Sequence, residues 1–110
     1  MKPFYKKGDF WLYEGDTRQM DLIDSDSVDL ICTSIPYYNA RPEYAEWPSY
    51  SSYLSDMIQV WQECYRVLKD GGRIAVNVPL GYGRTEYIPI GGDITNHLRS
   101  HFTLRGHIIW

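Results

Sequence analysis

A stretch with a single apolar stripe lies between two short runs of branched apolar residues, and that succession restricts the fold more than any other feature. From Ser52 to Lys69, the residues Leu54, Met57, Ile58, Trp61, Cys64, Tyr65 and Leu68 recur at spacings of three and four. Such spacing predicts a helix with one buried face. Ser51 or Ser52 can cap its start, and Asp70-Gly71-Gly72 supplies a left-handed residue to end it. Before it, Val28-Asp29-Leu30-Ile31-Cys32-Thr33 is nearly continuous and rich in branched residues, the pattern of a parallel strand covered on both faces. After it, Arg73-Ile74-Ala75-Val76-Asn77-Val78 reads as a second strand stopped by Pro79.

The flanking segments extend the alternation. Phe10-Trp11-Leu12-Tyr13 predicts a strand closed by Glu14-Gly15-Asp16, and Thr17 to Ile23 has the composition of one or two helical turns. Tyr38 to Ser51, with its prolines and aromatics, predicts an ordered loop. Gly81, Gly83, Gly91 and Gly92 predict a second loop. Asp93 can cap a short helix carrying Ile94, Leu98 and Phe102, and Thr103 to Trp110 reads as a final strand. The order strand, strand, helix, strand, helix, strand predicts an α/β fold. Its form would be part of a doubly wound, Rossmann-like parallel sheet with active residues at the carboxyl ends of the strands.

Size and charge narrow the function. At 110 residues the chain is one domain at most, and 44% apolar against 23% charged residues predicts a packed core rather than disorder. Eleven basic against 14 acidic residues give a net charge of -3, which excludes a self-sufficient nucleic-acid binder. Cys32 and Cys64 have no CxxC spacing, so a disulfide scaffold is disfavoured and both are expected as reduced core residues. No run approaches the ~20 apolar residues of a membrane span, and no signal-peptide pattern opens the chain, so a cytoplasmic location is expected.

The run Thr33-Ser34-Ile35-Pro36-Tyr37-Tyr38 ends the first branched strand, and Trp61-Gln62-Glu63-Cys64-Tyr65-Arg66-Val67-Leu68-Lys69-Asp70-Gly71-Gly72-Arg73-Ile74 follows it. Together they resemble the catalytic part of the DNA methylases that modify cytosine N4 or adenine N6. The similarity spans nearly the whole chain. That family carries Asp, Asn or Ser, then Pro-Pro, then Tyr or Phe at a strand end, and Ile35 stands here where the first Pro would be. The resemblance implies S-adenosylmethionine as cofactor and double-stranded DNA, with its target base flipped out, as partner. It also implies roles for four residues. The Ser34 hydroxyl and the Ile35 backbone carbonyl would accept hydrogen bonds from the target amine, Pro36 would stiffen the turn, and Tyr37 would stack on the flipped base. An exocyclic amine needs such acceptors because its lone pair is delocalised into the ring. Asp16, by the same resemblance, would meet the adenine or ribose end of the cofactor.

Other candidates carry less. Asn77 and Pro79 end a strand near the motif, where turn formers are common. His97 and His101 are four apart without a third ligand, so no metal site is expected. Arg41, Arg84, Arg99 and Arg105 are scattered, as surface arginines are, and Gly81-x-Gly83 lacks the third glycine of a phosphate loop. No Phe-x-Gly-x-Gly run, the family's cradle for the methionine part of the cofactor, occurs in the 110 residues. The expectation is therefore the amino-terminal catalytic part of a longer enzyme, inactive alone, whose open sheet edge favours self-association. Methylation of RNA or of a protein amide, or a non-catalytic assembly role on the same fold, are the competing readings.

Overall fold

The computed structural model describes residues 1–43, 45–83 and 85–110. Six elements follow one another: β1 (Lys2–Lys7), β2 (Phe10–Glu14), β3 (Val28–Ser34), α1 (Tyr50–Val67), β4 (Leu68–Asn77) and α2 (Ile90–Leu98). They form a β1-β2 antiparallel hairpin and a separate two-stranded parallel sheet of β3 and β4. The expected helix thus bridges two parallel strands. The strand at Phe10–Tyr13 does not join them, because it pairs with β1, an element the sequence reading lacked. Gly8-Asp9 makes the turn, with Gly8 at φ 56°, and so short a loop closes at far lower entropic cost than a crossover.

Alternation along β3 divides its side chains between two environments. Ile31 and Ile35 pack with the helices, whereas Leu30, Cys32 and Ser34 are exposed on the other face. On β4, Ile74 and Val76 join the core while Arg73, Ala75 and Asn77 share the open face. One face of the sheet is therefore covered, not two. Cys32 accordingly lies on the surface, contrary to expectation, while Cys64 is buried and its thiol is pushed up to about 11, chiefly by burial and then by Glu63.

The buried stripe of α1 is Tyr53, Met57, Trp61, Cys64 and Val67, a rotation of the expected one that brings Tyr53 inward and leaves Tyr65 exposed. Ser49, rather than Ser51 or Ser52, caps the helix: its hydroxyl accepts from the Ser52 N–H at 3.1 Å. The helix stops at Leu68, whose extended backbone donates to the Cys64 carbonyl. Left-handed Gly71 (φ 77°) instead shapes a bulge inside β4, where Val28 faces Leu68 but Leu30 faces Arg73. Further along, α2 begins at Ile90, so Gly91 and Gly92 are helical and Asp93 lies in the first turn. A Cβ on Gly91 would meet the Pro79 carbonyl oxygen at 2.6 Å, which is why glycine stands there. Thr17 to Ile23 forms turns, not helix, and residues 103–110 form no strand, since no described residue pairs with them. A branched run becomes a strand only when a neighbour completes its hydrogen bonds.

Arg66 and Glu63 fasten α1 to the segment that enters β3. The Arg66 guanidinium donates to Glu63 at 2.7 and 2.9 Å and to the Met20 and Ile23 carbonyls at 2.9 and 3.0 Å, while Glu63 accepts from the Met20 N–H at 2.7 Å. The bonds from Arg66 hold the Glu63 carboxyl below its ordinary value of 4.5. A carboxyl lowered by folding contributes stability that is present at neutral pH and lost as pH falls through the folded value. Thermal melts should therefore show wild-type stability declining more steeply than that of Glu63→Gln as pH drops below 4.5. Parallel slopes for the two proteins would count against the pairing.

Candidate active site

The end of β3 places the motif. Ser34 lies opposite Asn77 in the parallel register, on the open face, and its hydroxyl has no hydrogen-bond partner among the described residues. Ile35 points the other way and is 7% exposed, within the cluster formed by Tyr53, Met57, Trp61, Cys64, Ile90 and Ile94. Pro36 and Tyr37 are half-buried, and Tyr37 packs against that cluster. The buried Tyr53 hydroxyl donates to the Pro36 carbonyl at 2.7 Å. A hydroxyl free on one side and a side chain anchored on the other follow from strand alternation carried one residue past the ladder.

Aromatic packing and one amide hold together the described residues of the loop after the motif. Asn39, left-handed at φ 46°, donates to the Trp47 carbonyl at 2.9 Å and accepts the Trp47 N–H at 2.7 Å, closing the loop upon itself. Asn tolerates that backbone region better than most residues. Rings of Tyr38, Trp47 and Tyr50 surround Tyr53 with centroids 5.7, 4.9 and 5.9 Å away. Tyr50 donates to Asp93 of α2 at 2.7 Å, and the Tyr82 hydroxyl donates to the Tyr38 carbonyl. Burial raises the phenols of Tyr50, Tyr53 and Tyr82, so all three remain protonated donors at neutral pH.

Asp16 is exposed beyond the hairpin and is already engaged. Both its oxygens accept from Arg18, whose hydrogen bonds hold the carboxyl below its ordinary value. Arg18 also reaches Asp56 at 3.1 Å, and Asp56 accepts the Trp47 indole N–H at 2.9 Å. A continuous polar chain thus runs from Asp16 through Arg18, Asp56 and Trp47 to Asn39. Sequence reading singled out Asp16 but missed Arg18, Trp47, Tyr53 and Asp56. The one available signal was the aromatic density between Tyr37 and Tyr53.

The remaining candidates stand apart from this chain. The Nδ1 atoms of His97 and His101 are buried without partners among the described residues, as is the Trp61 Nε1, and these residues line a cavity of about 80 Å³ with Ile58 and Ser100. Among the described residues, no three His, Cys, Asp or Glu side chains gather as a metal site. Arg41 pairs with Glu43 at 3.9 Å, Arg99 and Arg105 are exposed, and Arg84 lies outside the described residues. Among those residues no helix is long and apolar enough to cross a membrane.

A βαβ unit whose first strand ends in an exposed serine, a buried isoleucine and a proline matches a known family of enzymes. The family model described as DNA methylase matches residues 28–110, and the chain belongs to that family. A type II beta methyltransferase, M.BslI of Bacillus sp. (strain NEB-606), is 36% identical over 114 residues, covering 90% of this chain and 12% of that protein. TTHA0409 of Thermus thermophilus, described as a DNA modification methylase, superimposes with a TM-score of 0.62 at 29% identity, covering 78% of this chain and 37% of that one. Its complex with S-adenosyl-L-methionine gives 0.63 at 28% identity, covering 78% and 38%. The βαβ unit is thus part of a methyltransferase fold, and the chain spans well under half the length of these relatives.

Proposed function

We propose that the chain carries the target-amine half of the active site of an S-adenosylmethionine-dependent DNA methyltransferase. Its target is cytosine N4 or adenine N6 of a base flipped from the duplex, within a restriction–modification system. The observation that carries this reading is the Ser34 hydroxyl, without a partner among the described residues, at the end of a parallel strand in a chain of the DNA methylase family. The Ser34 hydroxyl and the Ile35 carbonyl accept the two amine hydrogens, which favours a pyramidal nitrogen and stabilises its developing positive charge. Tyr37 stacks on the base and offsets part of its unstacking cost. S-adenosylmethionine, when bound, supplies an electrophilic methyl group.

Asp16 is the residue of this chain that the family resemblance assigns to that cofactor, and Arg18 engages both its oxygens. At Asp16 a ribose or adenine contact must use lone pairs that Arg18 leaves free, and no glycine cradle occurs in the sequence. We assign the cradle to another segment of the same enzyme, one that completes a doubly wound sheet and covers the open face of Leu30, Cys32 and Ala75. Titrating S-adenosylmethionine into the 110-residue chain alone should give no saturable heat, and tight binding would overturn this division. The complete product of the reading frame, incubated with labelled cofactor and duplex DNA, should yield N4-methylcytosine or N6-methyladenine on nucleoside analysis. Label in RNA or protein instead would change the substrate class, and no transfer at all would leave a binding module.

A further inference from the structure

Ile35 raises a geometric question, because its carbonyl is an amine acceptor in the reading above and its φ is not locked by a ring. Three contacts remove that freedom. Upstream, the ladder holds Ser34 opposite Asn77. At Ile35 itself, the branched side chain is sunk to 7% exposure against the buried face of α1, which fixes its direction. Downstream, Pro36 restricts Ile35 to extended ψ, and the carbonyl of Pro36 is held by the Tyr53 hydroxyl at 2.7 Å.

Tyr53 is built for that task. It is fully buried, carried near the start of a serine-capped helix and enclosed by the rings of Tyr38, Trp47 and Tyr50. Four aromatic rings cannot all shift without emptying the cluster, so the hydroxyl is a fixed point. We propose that Tyr53 is a positioning residue for methyl transfer: by pinning the Pro36 carbonyl it aims the Ile35 carbonyl, making up for the missing ring at position 35. The proposal rests on the amine-acceptor reading of Ser34 and Ile35. Burial keeps the phenol protonated, so the donor is present throughout the neutral range.

Tyr50 provides the control. Its hydroxyl belongs to the same aromatic cage but donates to Asp93 on α2 instead of the motif. In the complete enzyme, Tyr53→Phe removes one oxygen and keeps the ring. It should lower kcat about tenfold, with KM for DNA and for cofactor within about twofold of wild type, since misaimed acceptors affect the transition state more than binding. Tyr50→Phe should leave kcat within about twofold even where its melting temperature falls as far as that of Tyr53→Phe. Equal kinetic losses in the two variants, or a Tyr53→Phe enzyme with wild-type kcat, would overturn the proposal by making the hydroxyl merely structural. Ser34→Ala, assayed alongside, separates the two ideas. If it kills activity while Tyr53→Phe does not, only the positioning role fails, whereas full activity in Ser34→Ala removes the acceptor reading beneath it.

Discussion

Replacing Ser34 by alanine in the complete enzyme is expected to lower kcat about 100-fold while leaving cofactor affinity nearly unchanged, the size of effect seen when one preorganised partner of a developing charge is removed. The substitution is a clean one. Because Ser34 ends its strand and its hydroxyl bonds to nothing among the described residues, its loss orphans no partner there. Folding should therefore be untouched, and any kinetic loss belongs to the transition state. Steady-state methylation at saturating cofactor measures it, with thermal melting as the control for folding. Activity within about twofold of wild type would remove Ser34 from the chemistry.

The other large effect is structural. Trp61 is 1% exposed at the centre of the cluster joining α1, α2 and the strand-end Ile35. Truncating so large a side chain to alanine costs about 3–5 kcal/mol, against a total stability of about 5–15 kcal/mol for a domain of this size. Trp61→Ala should therefore unfold at a much lower urea concentration than the wild type. Trp61→Phe should be much milder, because the indole N–H has no partner among the described residues and its removal relieves a buried polar group. Urea unfolding followed by circular dichroism distinguishes these outcomes. A phenylalanine variant as unstable as the alanine variant would mean that a bond to the indole N–H, absent among the described residues, supports the fold.

The helix over Tyr50–Val67, the parallel strands on either side of it and the strand-end position of Ser34 to Tyr37 were legible in the sequence. They rest on local signals: a period near 3.6, branched runs, and a proline that stops a strand. Features that depend on distant partners were not legible. β1 has a two-residue turn signal, yet its partner choice excludes Phe10–Tyr13 from the parallel sheet. The run Thr103 to Trp110 has strand composition and forms no strand. Tyr53 and Tyr65 are equally plausible on a helical wheel, and only contact with Ile35 and the aromatic loop decides that the first is buried and the second exposed.

The Asp16 carboxylate shows the same division. Its place after a strand was readable, and its partner Arg18 stands only two residues on, whereas the step from Arg18 to Asp56 joins residues far apart in sequence that only the tertiary packing brings within reach. By itself, the sequence determined the βαβ unit, the family and which four residues stand at the strand end. Tertiary structure alone decided that Ser34 faces outward, that Ile35 is anchored inward and that Tyr53 holds the next carbonyl. The reason is physical: a helix or strand tendency follows from nearest neighbours along the chain. The aim of a carbonyl, by contrast, follows from whichever side chain the packing of α1 against β3 brings within hydrogen-bond reach of it, here the Tyr53 hydroxyl at 2.7 Å.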